Sequence, residues 1–328
     1  MTNRRPKSRD LTRILQQLAG PELPPGVVHK LSNLLADEFA SFAQAWPSLS
    51  AERRQAIMSQ MVEVSEADIE VDFTRMFTLG LNDPEPQVRA LSIEGLWENE
   101  DPKLIRPLIR LLHNDPSAIV RETAAISLGR FALLAELGKL QPRFAALIWD
   151  ALWSTIYAPQ EELDVRRRAV ESIAYFGRQE ALSVIEQAYR HEDPRMRASA
   201  VYAMGRSADD RWENIVLDEL DSDDDEMRYE AVRTCGALQL DSSVMQLSKL
   251  VADVDPEVKQ MAAWALGQIG SAEAHRVLEI CCEQGDEALQ EAAEDALAEM
   301  DLLHGSLDFS MFDFGSIADT ADDVEQDE

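Results

Sequence analysis

Residues 193–205 read DPRMRASAVYAMG: an acid–proline pair, an arginine, a run of small residues and a glycine. The phrase returns as DPEPQVRALSIEGLW at 83–97, DPSAIVRETAAISLG at 115–129 and ELDVRRRAVESIAYFG at 162–177. It returns again as DDDEMRYEAVRTCG at 223–236, DPEVKQMAAWALG at 255–267 and, degraded, DEALQEAAEDALA at 286–298. The aligned positions are Arg89, Arg121, Arg166, Arg197, Arg228, Lys259 and Gln290, at steps of 32, 45, 31, 31, 31 and 31 residues. A constant step with one enlarged member marks a stacked array, in which each unit buries its apolar face against its neighbours.

Each part of the phrase has a physical job. Asp193 or Asp255 caps a helix, and the proline after it suits a first turn, where no amide partner is needed. Counted from the arginine, apolar residues fall at −1, +3, +4 and +7, illustrated by Met196, Ala200, Val201 and Met204. That spacing is one face of a helix. Glycine or alanine at +8 lets a neighbouring helix come close or ends the helix. Between the phrases lie second amphipathic segments, such as KLIRPLIRLLHN at 103–114 and ALSVIEQAYR at 181–190. Two antiparallel helices per step are predicted.

The pattern D-P-x-V-R-x-x-A-x-x-x-L-G, spread over residues 83–298, resembles the HEAT-repeat family, especially its short bacterial PBS-lyase HEAT-like form. The resemblance implies an all-α fold, a right-handed α-α superhelix, and a repeated arginine that bridges to acidic groups between successive repeats. Such arrays serve mostly as scaffolds and adaptors, and some are enzymes or enzyme subunits of the lyase or hydroxylase type. The di-iron hydroxylase of this fold carries several His-Glu pairs; this chain has His191–Glu192 alone, in the turn before Pro194. One pair cannot hold two irons. No Gly-rich phosphate loop, GxSxG or HExxH occurs, so no catalytic, metal or cofactor site is expected.

Composition narrows the partners. A net charge of −30 repels phosphates over most of the surface, which argues against nucleic-acid and anionic-membrane binding and favours a basic partner. No apolar stretch follows the basic start MTNRRPKSR and no run is long enough to span a bilayer, so a cytoplasmic location is expected. Cys235 falls on an apolar stripe and Cys281–Cys282 are adjacent, which reads as packing rather than metal binding.

Three regions are expected: a helical N-terminal cap over 1–48 with a mobile basic start, an array over 49–300, and an acidic tail over 301–328. In the N-terminal part, 27–46, 50–64 and 66–81 each read as helical. The last two form an atypical first repeat with Arg54 near the arginine position. The enlarged repeat, at about 130–177, holds Trp149, Trp153 and Tyr157 on one helical face, either as core or as a docking ridge. The tail has no Lys or Arg after Met300 and sets Phe309, Phe312 and Phe314 among acids. That composition suits disorder, and also a motif that folds on contact or packs on the last repeat.

The exposed stripe of the second helices should comprise positions +2, +5 and +9. Its middle gathers Arg130, Arg168, Arg206 and Arg233 beside Tyr175, Tyr202 and Trp264. Arginine with Tyr and Trp is the usual make-up of a protein-binding hot spot. The expectation is a non-catalytic scaffold whose concave face binds an acidic, aromatic-bearing segment, the LDFSMFDF tail included. The alternative is a solvated ladder of charges paired across repeats.

Overall fold

The computed structural model describes residues 10–304, and every regular element among them is helical. Three helices come first: α1 (Leu11–Leu18), α2 (Ala36–Ala45) and α3 (Ala51–Ala67). Helix pairs follow: α4 (Thr74–Gly80) with α5 (Pro86–Glu94), α6 (Ile105–Asn114) with α7 (Ala118–Glu136), and α8 (Pro142–Ile156) with α9 (Leu163–Ile173). Next are α10 (Gln179–Tyr189) with α11 (Pro194–Ser207), and α12 (Glu213–Glu219) with α13 (Asp225–Ala237). The last are α14 (Val244–Leu250) with α15 (Pro256–Ile269), and α16 (Ala272–Gln284) with α17 (Glu287–His304). Packing divides the chain into two units between Leu238 and Gln239. The tail phenylalanines Phe309, Phe312 and Phe314, and the basic start, lie outside the described residues.

In the first unit the phrase-bearing helices stand side by side in one layer, α3 against α5, α5 against α7, and so on through α9 and α11 to α13. The first helix of each pair backs its own second helix. Positions −1, +3, +4 and +7 form the contact: Val165, Ala169, Val170 and Ile173 in α9, and Met196, Ala200, Val201 and Met204 in α11, are all buried. Each larger side chain among them contributes about 1.5–3 kcal/mol.

The small residues set the spacing between repeats. A Cβ on Gly129, at +8, would stand 2.6 Å from Ser172 Oγ, at +6 of the next repeat; on Gly205 it would stand 3.1 Å from Thr234 Oγ1. Those same hydroxyls donate back to the preceding repeat, Ser172 to the Ala125 carbonyl at 2.9 Å and Thr234 to the Val201 carbonyl at 2.9 Å. Close approach therefore exposes a helix carbonyl to a side-chain donor. Gly129 does not end its helix, since α7 runs on to Glu136 and lengthens that repeat.

The repeated arginine ties two things at once. Its Nη1 reaches back to a carbonyl six residues earlier in its own turn: Arg89 to Asp83, Arg121 to Asp115, Arg197 to His191 and Arg228 to Ser222. At Arg54, Arg89 and Arg121 the other nitrogens reach an acid of the next repeat, as the family resemblance implies, whereas Arg197 gives its Nη1 to the His191 and Glu192 carbonyls of its own turn. Arg54 pairs with Asp83 at 2.9 Å, Arg89 with Asp115 at 2.7 Å and, across the enlarged step, Arg121 with Glu161 at 2.9 Å. Asp83 also accepts from Trp46 Nε1 at 2.8 Å and from the Glu85 N–H, so this buried carboxylate is well satisfied. Arg166 departs from the pattern, because its buried Nε has no partner, and the neighbouring Arg167 makes the inter-repeat bonds instead.

Two of the expected N-terminal helices are cut short, while α3 runs on to Ala67, past the expected end at 64. The expected helix over 27–46 breaks at Ser32–Leu35, where Asn33 takes a positive φ of 55°; the one over 66–81 begins only at Thr74. The two breaks clasp each other. Asn33 N–H donates to the Asp72 carbonyl at 3.0 Å, and Asp72 N–H donates to Ser32 Oγ at 3.0 Å. Short polar side chains compete here with helical bonding: Asp68 and Asp72 each accept from the N–H two residues on. Helix α3 thus takes a second-helix place, as the Arg54 bridge shows, and α4 packs with α5 rather than completing a pair with α3.

In α8, Trp149 stacks on Trp153 at 5.5 Å and Trp153 meets Tyr157 at 4.9 Å. Phe176 packs edge-on to Trp149 and Arg178 covers it at 4.4 Å, so Trp149 and Trp153 are half-buried, while Tyr157 is exposed and donates its hydroxyl to Gln187 of the next repeat at 3.0 Å. In the second unit, α15 packs on α14, α16 and α17, and Lys259 bridges to Asp286 at 2.6 Å.

Candidate interaction face

The side of the second-helix layer turned away from the first helices carries the stripe at +2, +5 and +9. The structure brings together five of the seven residues expected there. Arg168 and Tyr175 come from α9 and the turn after it, Tyr202 and Arg206 from α11, and Arg233 from α13; all five are half-buried. Arg206 lies over Tyr202 at 4.9 Å and faces Tyr175 at 5.7 Å, and its Nε donates to the Tyr202 hydroxyl at 3.0 Å. Arg233 lies on Tyr202 at 4.4 Å. The result is an alternation of rings and guanidinium groups across three successive repeats, with cation–π attraction at each step. Burial raises the Tyr175 hydroxyl above its ordinary pKa, and the neighbouring Tyr202 adds to the shift.

Below this patch runs a line of paired charges. Arg168 Nη1 donates to both Glu171 oxygens at 2.9 Å, Ser199 Oγ donates to Glu171 Oε1 at 2.7 Å, and Arg167 Nε donates to Ser199 Oγ at 2.9 Å. Glu171 and Ser199, expected on the open stripe, are instead buried, because α9 and α11 close over them through this bond. Glu230 stands beside the line with Arg233 3.8 Å from its Oε2, which is buried without a hydrogen-bond partner. Burial is the main reason its pKa is pushed up to about 7; Glu171 and Glu226 push the same way against Arg233 and Arg168. Arg168 is thus consumed by an internal pair, whereas Arg206 has rings rather than a carboxylate as its partners.

The other two predicted residues are Arg130 and Trp264. Arg130, on α7, gives Nη2 to the Asn99 carbonyl at 2.7 Å and lies over Phe131 at 4.8 Å. Trp264 belongs to the second unit, half-buried on α15. His191 serves its turn, with Nδ1 accepting from the Asp193 N–H at 3.0 Å. Among the described residues, no group of three or more His, Cys, Asp or Glu side chains is placed to hold a metal ion, and no helix is long and apolar enough to cross a membrane. What sequence reading missed is the stacking order of the patch, since adjacency of Tyr175, Tyr202 and Arg233 depends on the lateral register of the helices.

The sequence profile for HEAT repeats matches residues 75–159, 156–211 and 213–298. Among solved structures, the chain is similar to human deoxyhypusine hydroxylase, at 20% identity over 89% of this chain and 96% of that one, with a TM-score of 0.30. It is similar to the CpcE–CpcF complex of phycocyanin lyase from Nostoc sp. PCC7120, at 16% identity over 71% and 95% of the two chains, TM-score 0.46. It is also similar to the Kap95p–RanGDP complex, at 14% identity over 88% of this chain and 40% of that one, TM-score 0.39. No curated protein matches the sequence.

Proposed function

The chain belongs to the HEAT-repeat family, and from the face just described we propose that it is a non-catalytic scaffold that binds a segment of a partner protein. The observation that carries the reading is the Tyr175–Arg206–Tyr202–Arg233 stack. It spans three repeats and stays half-open to solvent. Rigid rings and a guanidinium already held against them lose little conformational freedom when a partner covers them, which is the physical basis of a binding hot spot. Arg206 supplies the specificity. Its hydrogen-bonded partner is a neutral phenol, so its charge is left for an acceptor on the incoming segment, such as a backbone carbonyl or a carboxylate.

Changing Tyr202 and Arg206 to Ala together tests the proposal. Both side chains are half-exposed, and the double variant should keep its helical signal and melting behaviour. Recovery of the native partner from cell extract should fall at least tenfold. Recovery equal to that of the unaltered protein, with the fold intact, would rule this patch out as the docking site.

A further inference from the structure

A second feature lies toward the N-terminal end of the same layer. Between α3, α5 and α7 opens a cavity of about 620 Å³, with Val62, Trp97 and Ile126 as apolar lining and Glu66, Glu94 and Arg130 around them. Two of its apolar side chains are unusually open: Trp97 is 58% exposed and Ile126 52%. Large side chains left in water at a concave site mark binding surface, because nothing in the fold gains from leaving them there.

The charged groups around the cavity are short of partners. Neither the Glu66 nor the Glu94 carboxylate makes an ion pair or hydrogen bond among the described residues, and Glu66 adds to burial in raising the Glu94 carboxyl above its ordinary pKa. Arg130 does not answer them, since one donor goes to Asn99 while its Nε and Nη1 are sealed off without acceptors. Two carboxylates beside an exposed indole form a receptor for a cation: the acids supply charge, and the Trp97 face supplies cation–π attraction. The net charge of −30 draws a basic segment toward the chain as a whole.

We propose that the Trp97–Ile126 cavity binds a partner segment carrying a bulky apolar side chain beside a lysine or arginine, the apolar group entering between Trp97 and Ile126 and the cation meeting Glu66 and Glu94. The inference rests on the layer's open face being a docking surface and adds a chemical preference at one end of it. That preference is opposite to the one the Tyr–Arg patch supplies, so a segment crossing both would be read with a fixed direction.

The test uses the full chain and an acetylated, amidated decapeptide with one phenylalanine between two lysines. The controls are the same peptide with glutamates for the lysines and with glycine for the phenylalanine. Hydrogen exchange and peptide fluorescence anisotropy are read up to millimolar peptide. The lysine peptide should bind at least tenfold more tightly than either control and slow exchange over residues 93–97 and 123–130. Glu66→Lys with Glu94→Lys should invert the charge preference, and Trp97→Ala should abolish binding. Tyr202→Ala with Arg206→Ala should leave this binding unchanged. Equal binding of the three peptides, or indifference to the Glu66, Glu94 and Trp97 variants, overturns the inference. Loss of binding in the Tyr202 and Arg206 variant alone would overturn it too, while leaving the Tyr–Arg patch as a docking site.

Discussion

Arg89 and Asp115 meet at two points across successive repeats, Nε to Oδ2 and Nη2 to Oδ1, both at 2.7 Å. Their side chains are only 9% and 4% exposed, so the pair is held away from water. The fork geometry gives direction as well as charge, fixing how one helix pair is turned on the next.

Removing one member should therefore strand the other. Asp115→Ala leaves a buried guanidinium without its carboxylate and should cost about 3–5 kcal/mol. Arg89→Lys keeps the charge but loses the fork and should fall between the variant and the parent. Chemical denaturation followed by circular dichroism measures both, and a loss below about 1 kcal/mol for Asp115→Ala, the range of exposed pairs, would contradict the role given to the clamp.

The glycine contacts predict a graded series. Gly129→Ala forces a methyl to within 2.6 Å of Ser172 Oγ, whereas Gly205→Ala meets Thr234 at 3.1 Å. The first should push α7 off α9, breaking the Ser172 bond to the Ala125 carbonyl, and cost roughly 1–3 kcal/mol by overpacking. The second should cost less, because alanine restores helix propensity and the neighbour needs to yield only slightly. Equal effects in melting experiments would show that repeat spacing is not set at these positions.

Glu230 predicts a pH dependence with a definite sign. Its folded pKa, about 7, lies above the ordinary 4.5, so the folded chain binds a proton that the unfolded chain releases more readily. Stability should then fall as pH rises from about 4.5 to 7 and stay reduced above that, by up to about 3 kcal/mol. Glu230→Gln removes the charge while keeping the shape. It should raise the melting temperature at pH 8 much more than at pH 5.5, and an equal gain at both values would remove Glu230 as the cause.

The fold was legible because the repeat is written in residue types with separate physical demands: a capping acid, a proline, buried positions at −1, +3, +4 and +7, and a small residue at +8. The inter-repeat arginine bridges followed from the family resemblance. The carbonyls that the same arginines bind were not legible, because they belong to the turns between helices. Nor were the breaks at Ser32–Leu35 and Asp68–Phe73, whose pairing through Asn33 and Asp72 is a contact between distant segments. At the candidate site, helical spacing puts Tyr175, Tyr202, Arg206 and Arg233 on one stripe, and the four side chains touch. It could not tell that Glu171 and Ser199 close beneath them, nor that Arg130 finds its partners at Asn99 and Phe131. Periodicity fixes a face within one helix, and the register between helices decides what that face touches.

The central claim is that the open side of the second-helix layer is where a partner lies. Hydrogen exchange on the native complex, compared with the isolated chain, tests it most directly. Exchange should slow over 163–178, 194–207 and 225–237 on complex formation, with the first helices over 179–189 and 213–219 unchanged. Protection confined to those first helices, with the Tyr202 and Arg206 region exchanging as in the free protein, would contradict it.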